Sequence, residues 1–288
     1  MIISASRRTD IPALYSKWFI RRMKEGYCLV KNPFFPAQIK RVSLLPQDIT
    51  AIVFWTRYSK SMQPFLPELD RHGIAYYFLY TITGYGKQLE PFCPSIAKQI
   101  KDIQRLADML GKNRVIWRYD PIILSKNFSI SFHQQNFARL VSELKNSCKK
   151  IIISMVDYYT KSLRNLQTVN DNFMQNPPIP VIANLLEYFY ITSLTAGLEM
   201  QTCAETRELF PAIPPGKCID DALISNIINK EYKGKKHSGQ RPACRCVQSI
   251  DIGAYNGCIH GCKYCYAVQN HDKARQNYLL FNQNAESL

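Results

Sequence analysis

The sequence predicts an α/β protein: a single-domain (β/α) barrel, partial or full, occupying residues 1–288. Three observations predict it. Seven short apolar segments alternate with stretches of helical periodicity, and strands separated by helices join into a parallel sheet through right-handed crossovers. Nearly every apolar segment runs into polar residues at its end, and in a barrel the carboxyl ends of the strands open on one mouth. A chain of 288 residues, 46% hydrophobic and 20% charged, is large enough for one core and ordinary for a globular domain. The cysteine-rich segment 203–266 is read as part of the same domain.

Ile2-Ile3-Ser4-Ala5 is the first strand, followed by the polar turn Ser6-Arg7-Arg8-Thr9-Asp10-Ile11. Pro12 suits the first turn of a helix running to about Glu25. Thr9 and Asp10 could simply cap that helix. Two arginines in so short a loop exceed what capping needs, so Ser6, Arg7, Thr9 and Asp10 are candidates for ligand binding.

Ala51–Thr56 is the second strand, and a helix with Met62, Phe65, Leu66 and Leu69 on one stripe packs behind it. Ala75–Tyr80 is the third, ending in Thr81-Ile82-Thr83-Gly84. Ile96, Ile100, Ile103, Ala107 and Leu110 then keep helical spacing up to Gly111. The fourth strand, Val115–Pro121, carries Arg118 and Asp120 on one face at period two. They form either a structural ion pair or a ligand contact.

A helix bearing Phe137, Leu140, Val141 and Leu144 leads to the fifth strand, Lys150–Val156, which ends in Asp157. Residues 161–180 read as a loop or lid, and 181–194 as a helix. Leu198–Thr202 is the sixth strand, with Cys203 at its end. A helix from about Asp220 to Tyr232, a basic stretch 230–241, a strand at Ser249–Tyr255 and a final helix to about Asn277 complete the chain. On a barrel Ser6, Thr56, Thr81, Arg118, Asp157, Cys203 and the residues after the seventh strand would converge.

Those last residues are Cys258-Ile259-His260-Gly261-Cys262-Lys263-Tyr264-Cys265. A loop this tight can aim three thiolates at one centre. Three thiolates can hold three corners of a cubane iron–sulfur cluster and leave the fourth iron open. Structural zinc prefers four protein ligands, so a zinc knuckle is the rival, and three incidental thiols the plain alternative.

Cys203, Cys218, Cys244 and Cys246 could form a second four-thiolate site, an auxiliary [4Fe-4S] cluster or structural zinc, or could be unrelated thiols. Cys28, Cys93 and Cys148 have no partners in sequence and read as packing residues.

The spacing of Cys258, Cys262 and Cys265, with Tyr264 before the third, resembles the cluster motif of the radical S-adenosylmethionine superfamily. The resemblance implies a [4Fe-4S] cluster whose open iron chelates S-adenosylmethionine and whose reduction yields a 5′-deoxyadenosyl radical. It also implies an electron donor such as ferredoxin or flavodoxin. That superfamily carries its cysteine loop after the first strand of a partial (β/α) barrel, whereas here the loop follows the last. The implied fold is therefore circularly permuted, with the cluster strand beside the N-terminal one.

The succession of strand ends is similar to the spore photoproduct lyase branch, whose second strand ends in a Thr-Asp turn. Over nearly its full length the chain also resembles the family known as DUF1848. Ser6 to Pro12, Phe54-Trp55-Thr56, Arg118-Tyr119-Asp120-Pro121 and Asp251 to Ala267 carry that likeness. The resemblance makes Ser6 and Thr9 candidates for the methionine amine, and Thr81, Thr83 and Arg118 candidates for its carboxylate and the ribose. Arg7, Asp10, Thr56, Asp120 and Tyr264 complete the candidate cofactor set. It assigns no catalytic residue.

Lys and Arg outnumber Asp and Glu by 37 to 22, for a net charge of +15. Either nucleic acid is a partner or the surface is generally basic. A nucleic acid or nucleotide is the first substrate expected. No apolar run is long enough to span a bilayer and no signal segment opens the chain, so a cytoplasmic protein with no membrane contact is expected. Ten cysteines in a reducing compartment favour metal ligation over disulfides.

Two rival readings make different predictions. A non-enzymatic zinc- or iron–sulfur-binding protein contacting nucleic acid would bind no S-adenosylmethionine. A barrel hydrolase using Asp10, Asp120 and Asp157 around a divalent metal would work without the loop cysteines.

Overall fold

The computed structural model describes residues 1–35, 37–205 and 211–288. Its centre is a seven-stranded parallel sheet built from β1 (Ile2–Ala5), β4 (Ala51–Thr56), β5 (Tyr76–Thr81), β6 (Val115–Ile122), β7 (Lys150–Met155), β8 (Glu199–Thr202) and β9 (Ile250–Asp251). Its order is β8-β7-β6-β5-β4-β1-β9. Each strand from β1 to β8 lies beside its predecessor in the sheet, and β9 returns to pair with β1. Ile3 faces Ile250 and Ser4 faces Asp251 across that junction. Among the described residues β8 and β9 each pair with one strand only, β8 adding a single bridge from Thr202 to Pro215, so the sheet is open and no barrel closes.

These strands are nearly continuous apolar runs because both faces are covered. Period-two alternation divides their side chains between two cores. Ile52, Phe54, Phe78, Trp117 and Ile153 point to the side packed by helices Ser16–Glu25, Ile96–Leu110, Ile130–Leu144 and Ile179–Thr195. Val53, Trp55, Tyr77, Leu79, Ile116 and Ile152 point to the other, where Cys203, Cys218, Cys244, Cys246 and Val247 meet them. The helical side is tightly filled: Phe137 and Phe189 stack with ring centroids 3.9 Å apart. Burying each such ring contributes about 1.5–3 kcal/mol.

Several sequence expectations shift by a turn or more. The N-terminal helix is two pieces, Ile11–Leu14 and Ser16–Glu25. The chain breaks at Tyr15, whose hydroxyl donates to the carbonyl of Gly257 at 2.6 Å. The second piece stops at Gly26, which takes the left-handed conformation (φ 76°) of a helix C-terminus. An antiparallel hairpin of β2 (Tyr27–Lys31) and β3 (Ile39–Ser43) was not anticipated. The stripe at 62–69 forms a 3₁₀ turn, Gln63–Phe65, and a short helix, Leu66–Arg71. The expected loop at 161–180 begins with a helix, Thr160–Leu166, and the seventh strand is two residues rather than seven.

Candidate functional site

The carboxyl ends of the seven strands surround a cavity of about 1050 Å³. Ser6, Arg7, Thr9 and Asp10 reach it from the turn after β1, Thr56 from β4, Thr81 from β5, and Arg118 and Asp120 from β6. Cys258, Cys262, Tyr264 and Cys265 line one part of its wall and Cys203, Cys218, Cys244 and Cys246 another. One expected residue is misplaced: Thr83 is fully buried and donates its hydroxyl to Glu90, away from the lining.

The β1–β9 junction is tied by Asp251. Its carboxylate accepts from Ser4 Oγ at 2.9 Å, Ser6 Oγ at 2.6 Å, the Arg7 amide at 2.8 Å and the Gly253 amide at 3.1 Å. Thr9 Oγ1 donates to the carbonyl of Ala254 at 2.7 Å and accepts from its amide at 3.1 Å. The fit leaves no room for side chains on the incoming strand: a Cβ at Gly253 would lie 2.0 Å from Ser6 Oγ. Ser6 and Thr9 were expected to hold a cofactor amine. Their hydroxyls are instead consumed in fastening the turn to the chain that delivers the cysteines.

Asp10 is a second hub. It caps the first helix through Ala13 N at 3.0 Å, and accepts from Thr56 Oγ1 at 2.7 Å, the Arg57 amide at 2.8 Å and His260 Nε2 at 2.8 Å. Burial works against protonating His260, but the Asp10 hydrogen bond and charge, with Cys262, outweigh it and raise its pKa. Asp120 is paired with Arg118, and Asp157 with Arg241. The three carboxylates of a hydrolase centre therefore each have a protein partner already, and the cysteine-independent metal hydrolase has no support here.

The cysteine loop is clamped from outside as well. The amide of Lys263 donates to Leu89 O at 2.9 Å and that of Phe92 to His260 O at 3.1 Å. Glu90 is buried with Arg57 Nη1 2.8 Å away, and Tyr264 donates its hydroxyl to the same carboxylate. Gly261, at φ 74°, makes the turn between the first two cysteines.

The amide of Cys265 donates to the carbonyl of Cys262 at 3.1 Å, but among the described residues the thiols of Cys258, Cys262 and Cys265 act on one another only through charge. Three thiols of one loop facing one cavity yet standing apart fit the corners of a cubane better than the shell of a single ion. Among the described residues no three His, Cys, Asp or Glu side chains are grouped as they would be round a metal ion. The thiol of Cys93 lies 3.8 Å from Cys262. Its hydrogen bond lowers the Cys262 pKa to about 7, while Cys93 itself is raised.

Trp55 forms the floor between two guanidiniums, with Arg7 Cζ 5.1 Å and Arg118 Cζ 4.7 Å from its ring. Among the described residues the buried Arg7 Nη2 and Arg118 Nε have no hydrogen-bond partner, and Thr81 has no side-chain partner. Their hydrogen-bonding capacity is unused within the described chain.

Sequence reasoning missed Asp251, Arg57, Glu90 and Cys93 as parts of the site. His260, inside the cysteine motif, could have been found there. Glu90 and Cys93 carry no local signal.

No curated protein and no solved structure matches the chain. A family model described as Domain of unknown function (DUF1848) matches residues 2–267. With nearly its whole length covered, the chain belongs to the DUF1848 family.

Proposed function

We propose that this protein is a radical S-adenosylmethionine enzyme on a circularly permuted, partial (β/α) barrel, with Cys258, Cys262 and Cys265 holding a [4Fe-4S] cluster. The observation that carries the reading is the parallel pairing of β9 with β1. It puts the cysteine loop after the edge strand, at the carboxyl mouth of the sheet, with β1, β4, β5, β6, β7 and β8 following in order. A partial barrel entered one strand late would have this arrangement. When bound, the cluster would chelate S-adenosylmethionine on its open iron and supply the electron that cleaves it to a 5′-deoxyadenosyl radical.

The chain's own residues bind, orient and exclude water. Asp10 holds His260 and the amide of Arg57, and so fixes the loop from the sheet side. Arg57, Glu90 and Tyr264 form a buried ion-paired wall behind it. Arg118, Arg7 and Thr81 offer unused donors at the cavity floor for a carboxylate and ribose hydroxyls. Arg8, Lys40, Lys161 and Arg241 also face the cavity, which favours an anionic substrate such as a nucleotide or nucleic acid.

The test is iron and acid-labile sulfide per chain after anaerobic purification, with spin resonance of the reduced protein. About four irons that disappear in the Cys258→Ala, Cys262→Ala, Cys265→Ala variant, with a signal shifted by S-adenosylmethionine, is the expected result. Protein with no iron and no affinity for S-adenosylmethionine would leave a non-enzymatic zinc-binding protein as the better reading.

A further inference from the structure

A second sulfur-lined wall faces the same cavity and has no part in the proposal above. Cys203 follows the end of β8, Cys218 closes the turn after Pro214-Pro215, and Cys244 and Cys246 flank Arg245 on the way to β9. Folding gathers all four. The Cys203 and Cys218 sulfurs are 3.5 Å apart, and Cys244 and Cys246 belong to the same buried cluster and line the same cavity. All four are buried, at 8, 2, 6 and 3% exposure.

The surroundings hold the thiols in place. Tyr77, from the middle of the sheet, donates its hydroxyl to Cys218 O at 2.6 Å and accepts from the Asp220 amide at 3.0 Å. The amide of Ile219 points at Cys246 Sγ, 3.4 Å away. Arg7, Arg118 and Arg241 line the cavity beside them. Four thiolates around a divalent ion carry a net charge of −2, and this is where three guanidiniums stand.

The spacing selects the kind of metal. Zinc–sulfur bonds of about 2.3 Å put the ligands of a tetrahedral site about 3.8 Å apart along each edge. The thiolates of a cubane, one per iron, stand farther apart. We propose that Cys203, Cys218, Cys244 and Cys246 bind one zinc-class divalent ion as a tetrathiolate. Cys203 and Cys218 are already at ligand spacing; among the described residues no three such side chains yet surround one point, so side-chain rotation of Cys244 and Cys246 closes the tetrahedron. The ion then fastens the chain leaving β8, one edge of the open sheet, to the chain arriving at β9, the other edge. It bridges the gap that no strand pairing spans.

The test measures zinc per chain and the zinc-edge X-ray absorption of wild-type protein purified anaerobically. It is repeated on the Cys258→Ala, Cys262→Ala, Cys265→Ala variant and on Cys244→Ser with Cys246→Ser. One zinc per chain with four sulfur neighbours at about 2.3 Å, kept in the loop variant and lost in the Cys244/Cys246 variant, is the expected result. No zinc, a second set of four irons in its place, nitrogen or oxygen neighbours, or loss of zinc with the loop cysteines would each overturn it. The wild-type spectrum stands if the Cys244/Cys246 variant does not fold. Zinc present with iron absent would uphold this site and sink the cluster, so the two proposals fail separately.

Discussion

The sulfur of Cys93 lies 3.8 Å from that of Cys262, although 169 residues separate them in the chain. Two ligands of different irons in one cubane stand farther apart, so in the proposed cluster Cys262 is the ligand and Cys93 its hydrogen-bond donor. Cys93 also lies 3.9 Å from the carbonyl of His260 within the same loop.

Replacing Cys93 by alanine therefore leaves iron content unchanged and lowers the cluster's reduction potential, because a donor to the thiolate favours the more negative, reduced state. A neutral hydrogen bond of about 1 kcal/mol corresponds to about 40 mV for one electron. Redox titration followed by spin resonance measures this; loss of iron in the variant would make Cys93 a ligand instead.

Glu90 shares its carboxylate between Arg57, Tyr264 and Thr83 in a buried setting. Glu90→Gln leaves the Arg57 guanidinium buried without its counter-charge, and is expected to cost about 3–5 kcal/mol. Tyr264→Phe removes one hydrogen-bonding hydroxyl and should cost about 1 kcal/mol. Urea unfolding of the three proteins would reveal the ranking, and equal losses would contradict it.

Gly253 has no space for a methyl group, since Ser6 Oγ would be 2.0 Å from it. Gly253→Ala must push the β9 segment off the turn after β1, at a cost of about 1–3 kcal/mol. The variant is expected to bind less iron than wild type while Gly239→Ala, whose Cβ would meet nothing closer than 3.4 Å, keeps its iron. Metal analysis of both proteins checks this.

His133 is buried between the Tyr119 hydroxyl and the Ile123 carbonyl, each 2.8 Å away. Asn136 donates to the same tyrosine oxygen, so Tyr119 donates to Nδ1 and Nε2 carries the proton. Burial lowers the pKa of His133 to about 4, below the unfolded value of about 6.5. Between those values the unfolded chain binds a proton that the native one refuses, so stability falls as pH drops through 6.5 towards 4. From pH 7 to 5 the loss is about 2 kcal/mol. His133→Gln should lack that part of the slope when urea midpoints are compared at the two pH values.

Local pattern was enough to determine the seven strand positions, the principal helices and the cysteine loop. Apolar runs, period 3.6 and cysteine spacing act within a dozen residues, and each survives without knowledge of partners. The meeting of polar strand ends at one mouth followed from the alternation of strands and helices alone. The hairpin of β2 and β3 was missed because Tyr27–Lys31 and Ile39–Ser43 are largely exposed or half-buried, and a strand with little buried face leaves little pattern.

Only the tertiary structure decided the use of each polar group. Ser6 and Thr9 looked like ligand donors, but Asp251 and Ala254, some 245 residues away, engage their hydroxyls. Cys93 looked like a packing residue and Glu90 carried no signal at all, yet they support Cys262 and Tyr264. A buried donor or acceptor must find a partner wherever the fold supplies one, and sequence separation says nothing about which groups burial will bring together.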